Sequence, residues 1–290
     1  MEFLLQVAFS GLTLGSLYAL VGLGFVIIFK ATGVVNFAQG EMVMLGAMFA
    51  LVAHLDLRWP FVPAILVAVG LAGATGVVLE RVAFRPLLRA PVVTVILSTV
   101  AVGQMLRSGV RIVRGQELSL FPPMLPTDPI RIGGLTVTPL SLAIIAISLL
   151  LVAAFTGMFQ FTRLGKGMQA VAQNKDAASM VGISVPRTYA RIWGISSALA
   201  GAAGILLAPL IIISPDMGII ANKGFAGAIL GGFNSLLGAV VGGFLLGIIE
   251  NLAGVYVGGS MKDVVAFVVL VAVLSIRPAG LLGRPEQRRA

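Results

Sequence analysis

Apolar residues fall in long uninterrupted stretches, at about 5–29, 37–55, 61–80, 91–108, 138–161, 192–213, 235–256 and 262–277, with a shorter, weaker piece at about 224–233. A helix needs about 20 apolar residues to cross the hydrocarbon core of a bilayer. Barrel strands would be near 10 residues each and alternate in polarity. The runs here are longer and do not alternate, so they predict helices. The expected fold is all-α: a polytopic transmembrane helical bundle of about 8–9 crossings, with a short or broken helix near 224–233. A single transmembrane domain over 1–290 is expected, because no stretch between the runs is long enough for a soluble one.

Composition strengthens this reading. Of 290 residues, 58% are hydrophobic and 11% charged, against roughly 25% charged in a soluble domain. Too few polar residues exist to cover a water-facing surface. The net charge of +9 does not point to nucleic acid, because the basic residues sit at the ends of apolar runs rather than in one stripe. One set of connections holds Lys30, Arg81, Arg85, Arg89, Arg163, Lys166, Lys175, Arg187, Arg191, Arg277, Arg284, Arg288 and Arg289. The other holds Arg58, Arg107, Arg111, Arg114, Arg131, Lys223 and Lys262. The first set is larger, thirteen to seven, and is expected in the cytoplasm. The N-terminus is then outside and the C-terminus inside, in a cytoplasmic (inner) membrane. That orientation requires an odd number of crossings, so the piece at 224–233 is expected to complete a short or broken one. The N-terminal run lacks a basic flank and is too long for a signal peptide, so it reads as a retained span.

The chain carries little that resembles catalysis. It has no cysteine, hence no disulfide and no thiolate metal site. The sole histidine, His54, lies beside Asp56, Arg58 and Trp59 and reads as an interfacial residue, since a metal site needs three or four clustered ligands. Neither a G-x-S-x-G nor a G-x-x-x-x-G-K-S/T motif is present, so no metal or cofactor is expected on this chain and the usual phosphate-binding loop is missing. Arg107, Arg111 and Arg114 share one helix face at a span end, where long side chains reach headgroups; docking of an external partner is the other reading. Glu80 has Arg81 as its neighbour and reads as interfacial. The stretch from about 112 to 137, with FPPMLPTDP and the pair Gly133–Gly134, reads as a turn-rich cap.

Three other features bear on function. Glycines recur at four-residue spacing, as in Gly11/Gly15, Gly227/Gly231, Gly238/Gly242, Gly243/Gly247 and Gly254/Gly258, which lets helix backbones touch in lipid. Polar residues interrupt two apolar runs: Asn36, Gln39 and Glu41 in one, Glu250 and Asn251 in the other. Charge at membrane depth costs about 2.5–3.5 kcal/mol, so these five either line a pathway or make structural hydrogen bonds. Finally, RLGKGMQAVAQNKDAASMVGISVPRTYARI, residues 163–192, is helix-forming over MQAVAQNKDAASMV, with Gly182 as a stop. Val171, Ala178 and Val181 give it a modest apolar face. Such a segment suits a groove on a partner protein or an interfacial position.

That segment closely resembles the coupling segment of LivH-type permeases of ABC importers for branched-chain amino acids. YALVGLGFVIIFKATGVVNFAQGEMVMLGA resembles the family's opening block, ISSALAGAAGIL the span after the coupling loop, GFAGAILGGFNSLLGAVVGGFLLGIIE the late glycine-rich block, and LSIRPAGLLG the ending. The resemblance runs in order over essentially the whole chain. It implies a second related permease, two cytoplasmic ATPase subunits that use ATP, and an extracytoplasmic binding protein. It also implies that the cytoplasmic segment at about 163–191 docks into the ATPase through Ala172, Asn174, Ala177, Ala178 and Gly182. Family members often carry histidine where Gln39 stands. Related systems for urea and short amides remain open as an alternative, as does an ATP-independent secondary transporter; an intramembrane enzyme lacks a catalytic cluster.

Overall fold

The computed structural model describes residues 2–87, 90–115, 118–123, 125–126, 128–132, 135–259 and 261–283. Arg89, Arg284, Arg288, Arg289, Gly133 and Gly134, used above, lie outside the described residues. Every predicted apolar run is a helix. In chain order these are α1 (Glu2–Thr32), α2 (Gln39–Leu51), α3 (Phe61–Leu79), α4 (Val92–Arg114), α5 (Pro139–Phe161), α6 (Arg163–Gln173), α7 (Lys175–Met180), α8 (Val185–Leu207), α9 (Ile220–Gly231), α10 (Leu236–Tyr256) and α11 (Lys262–Ile276). Among the described residues, six helices are long and apolar enough to cross a membrane: α1, α3 with its extension to Leu87, α4, α5, α8 and α10. The helices α2, α9 and α11 are shorter. Turns of π-helix extend α2 over Val52–Asp56 and α3 over Glu80–Phe84.

Among the boundaries that differ from the sequence reading, those of α8 and α4 have a visible cause. Helix α8 begins at Val185 rather than near 192, because Pro186 occupies its first turn, where a missing N–H costs nothing. It ends before Pro209, so the apolar residues 208–213 fall outside it. Helix α4 runs on to Arg114 because its arginines find carboxylates. Within the stretch at 112–137, a small antiparallel ribbon forms, β1 (Ile130–Ile132) and β2 (Leu135–Val137), with Ile130 opposite Val137 and Arg131 opposite Thr136.

The chain divides into two compact units, one of residues 1–26, 123–152 and 222–290, the other of residues 27–122 and 153–221. The first is held by glycine contacts. A Cβ added at Gly11 would lie 2.7 Å from the Ile248 Cα, one at Gly15 2.8 Å from the Phe244 Cα, and one at Gly227 2.8 Å from the Gly243 Cα. So α1 and α9 each lie backbone to backbone on α10. In the second unit, α2, α3 and α8 pack against one another. Gly46 meets Gly201, Gly204 meets the Val43 carbonyl, and Gly76 meets Ser197. Lipid supplies no hydrophobic drive between helices, and close dispersion contact takes its place.

Candidate functional site

The second unit contains a polar cluster built where α2 begins. Residues 34–36 are irregular, and α2 starts at Gln39. The Asn36 side chain organises the turn: its Oδ1 accepts from the Ala38 N–H at 3.1 Å and its amide donates to Gln39 Oε1 at 3.4 Å. Gln39 reaches α8, donating to the Ser196 carbonyl at 3.2 Å and accepting from the Ser196 hydroxyl at 3.2 Å. The Phe37 N–H donates to Thr99 Oγ1 on α4 at 3.1 Å. Asn36 and Gln39 are buried, so these bonds offset the cost of removing two amides from water.

Two residues further on, Glu41 is only 4% exposed. Arg107 of α4 donates to its Oε1 at 2.5 Å, and the other guanidinium nitrogen of Arg107 lies 3.7 Å from Asp216. Arg111 donates to both Asp216 oxygens, at 2.7 and 2.9 Å, and Arg114 pairs with Asp56. The three arginines therefore do not reach for headgroups; each meets a carboxylate of its own unit. The charges are not fully matched: Glu41 Oε2, Arg107 Nε and Arg111 Nε are buried without a hydrogen-bond partner. Gly103 lies against the Glu41 side chain: a Cβ there would sit 3.5 Å from Glu41 Cγ, in ordinary contact.

The first unit holds a second charged group. Glu250 of α10 is 2% exposed. Tyr18 of α1 donates to its Oε2 at 2.9 Å, and Lys223 of α9 donates to its Oε1 at 2.5 Å and to Asp263 at 2.8 Å. Asn251 turns elsewhere and donates to the Val7 carbonyl at 2.7 Å. Of the five polar residues singled out in the sequence, Asn36, Gln39 and Glu41 are thus brought together; Glu250 and Asn251 belong to the other unit and diverge. Sequence reasoning missed Arg107, Asp216, Ser196, Lys223 and Tyr18 as partners. The one available signal was the burial cost of Glu41 and Glu250, which demanded a cation within reach.

Glu80 also departs from the expectation. It is 2% exposed, and its partner is Arg85, with nitrogen–oxygen distances of 3.0 and 2.7 Å, not Arg81. The π-helical turn Glu80–Phe84 sets this spacing, because five residues rather than four complete a turn. Arg85 also donates to the Pro186 carbonyl at 3.1 Å, joining the end of α3 to the start of α8. The Nδ1 of His54 lies 2.9 Å from the Trp59 carbonyl, and its ring lies against Phe61 and Phe121. No group of three His, Cys, Asp or Glu that would hold a metal occurs among the described residues.

Ahead of α8, the segment at 163–191 forms two helices, α6 and α7, not one. The Thr162 hydroxyl caps α6 by accepting from the Gly165 N–H at 3.1 Å. Asn174 ends α6 in extended backbone, and its Oδ1 accepts from the Asp176 and Ala177 N–H groups, both at 3.0 Å, opening α7. Asparagine caps well because its short side chain reaches these otherwise unpaired donors. Gly182 stops the segment at φ +84°, a conformation glycine adopts without strain. Asn174, Ala177 and Gly182 are exposed and Ala172 is half-buried. Ala178 and Val171 are buried, so two members of the predicted apolar face turn inward while Val181 faces out.

The model of the branched-chain amino acid transport system permease component family matches residues 7–274. The chain belongs to this family. Among curated relatives, this permease is 34% identical to the high-affinity branched-chain amino acid transport system permease protein LivH of Escherichia coli K12, over 98% of the chain and 97% of that protein. It is 33% identical to BraD of Pseudomonas aeruginosa, a permease protein of the same description, over 97% and 96%. It is 27% identical to the probable branched-chain amino acid transport permease protein LivH of Methanocaldococcus jannaschii, over 92% and 89%. No solved structure matches it. This permease is therefore an integral, multi-pass membrane component of a transport system, and not itself an enzyme.

Proposed function

We propose that this permease forms, with a second related permease, the membrane path by which an ATP-driven importer takes up branched-chain amino acids. The observation that carries the reading is the end-to-end match, at 34% identity, with a protein described as a high-affinity branched-chain amino acid permease. An extracytoplasmic binding protein delivers the substrate, and two cytoplasmic ATPase subunits use the ATP. The chain acts as one transmembrane domain in the inner membrane, N-terminus outside and C-terminus inside. The basic residues Arg163, Lys166, Lys175, Arg187 and Arg191 around the coupling segment favour that orientation.

In this reading α6 and α7 seat in the ATPase. Ala177 and Gly182 are exposed for contact, Ala172 lies at the edge, and Asn174 holds α7 at its angle through its cap. Ala178, buried, supports α7 from beneath. Asn36, Gln39, Glu41, Glu250 and Asn251 line the path once the helices part. A ligand shifts two conformations only by binding one better than the other. ATP on the partner subunits therefore supplies the bias, and α6–α7 transmits it.

The test is Ala177→Arg. Purified in mild detergent from native membranes, the unaltered permease is expected to bring two ATPases and a second permease with it. The variant is expected to lose the ATPases and keep the second permease. ATPases retained in full on the variant would remove α7 from the interface.

A further inference from the structure

The start of α6 and the first two turns of α8 enclose a groove of about 590 Å³. Its floor includes Met168 and Thr188, both buried. Four of its lining residues are basic, Arg163, Lys166, Arg187 and Arg191, and no lining residue is acidic. All four are exposed, and none takes part in an ion pair of the described residues. Elsewhere in the unit Arg85, Arg107, Arg111 and Arg114 each hold a carboxylate. Four like charges around one concavity repel one another unless an anion sits among them.

The position of the groove says which anion. Arg163 follows the end of the apolar span α5 by two residues, and Arg187 and Arg191 lie in the first two turns of the span α8. Two helices long and apolar enough to cross a membrane thus end or begin at the groove. Phe161, the last residue of α5, is 80% exposed beside it, and an acyl chain would cover that ring. The packing of α6 on the end of α5 does not use these charges: Gly165 lies so close to the Phe159 carbonyl that no Cβ fits, and Gln169 donates to the same carbonyl at 2.5 Å.

We infer that this groove is a binding site for the phosphate of an anionic phospholipid headgroup, phosphatidylglycerol in chemical class. Basic pockets between membrane helices take such headgroups through charge-assisted hydrogen bonds. The lipid would brace α6 against α8 and so hold the segment leading to α7. This goes beyond the transport reading; the lipid titration needs no ATPase, and co-purification of ATPase is read only to separate a lipid from a protein partner.

The experiment is native mass spectrometry of the full-length permease, purified in detergent and titrated with phosphatidylglycerol or phosphatidylcholine. Phosphatidylglycerol is expected to stay bound, and phosphatidylcholine to be released. Arg187→Gln with Arg191→Gln is expected to weaken retention by about 30-fold, the loss of two basic residues facing one anionic headgroup. Arg163→Gln with Lys166→Gln, on the other wall, is expected to do the same. Unchanged retention in both double variants, with unaltered thermal unfolding, overturns the site. Displacement of the lipid by millimolar inorganic phosphate or glycerol phosphate would assign the groove to a free phosphate and also overturn it. Variants that keep the lipid but lose co-purifying ATPase would assign the four charges to the protein partner instead.

Discussion

Replacing Arg107 by methionine tests how the buried charges are balanced. The substitution keeps most of the side-chain length and removes the guanidinium. Glu41, 4% exposed, then loses the Arg107 donor to its Oε1, while its Oε2 has no hydrogen-bond partner among the described residues. Removing one partner of a buried ion pair costs about 3–5 kcal/mol, because the other charge is left uncompensated. The reverse change, Glu41→Gln, is milder. Arg107 retains Asp216 at 3.7 Å, and the glutamine still offers an oxygen; a loss of about 1–2 kcal/mol is expected, near that of a charge-assisted hydrogen bond. The double variant Glu41→Gln/Arg107→Met removes both charges and is expected to recover about 1–3 kcal/mol of the summed loss, the coupling typical of residues in contact. SDS-induced unfolding in mixed micelles, followed by tryptophan fluorescence, reads this through Trp193, which stacks on Phe84 at 4.4 Å in the same unit. Equal losses for the two single variants, or additivity within about 0.5 kcal/mol in the double, would refute the claim that Glu41 depends on Arg107 while Arg107 has a second partner.

Two further predictions follow from packing and capping. Gly46→Leu forces a side chain onto the Gly201 backbone and is expected to cost about 1–3 kcal/mol or to prevent accumulation of the protein. Gly70→Ala, where nothing lies within 4 Å of the added carbon, is expected to be neutral or to stabilise by up to about 1 kcal/mol; expression level and unfolding midpoint distinguish the two. Asn174→Ala removes both hydrogen bonds that open α7 and is expected to destabilise that helix by about 1 kcal/mol. Amide exchange over residues 175–180 should then quicken about fivefold, with α8 unchanged.

The helices were legible because lipid makes hydrophobicity an almost sufficient signal: eight long runs are eight helices. The weak piece at 224–233 was legible as a helix but misplaced. Its true start at Ile220 is hidden by Asn222 and Lys223, whose polarity makes sense only once Lys223 is seen to hold Glu250 and Asp263. The arginines of α4 failed for the same reason. Their spacing reveals a shared face but not that Glu41, 66 residues away, and Asp216, 105 residues away, stand opposite it. The break at Asn174 was a local signal that propensity obscured. The alanines on both sides favour one continuous helix, and the decisive fact is that asparagine bonds its own downstream N–H groups instead. Glu80 shows a third limit, because a π-helical turn shifts its partner from one neighbour to another five residues on.

The central claim is that this chain is a translocation path with no energy source of its own. Uptake of radiolabelled leucine into proteoliposomes tests it most directly. The permease alone is expected to give none, with or without ATP inside. The permease with its co-purified second permease and ATPases, and with binding protein outside, is expected to accumulate leucine only when ATP is enclosed. Leucine uptake by the chain alone and without ATP would contradict the account and make it a self-sufficient transporter.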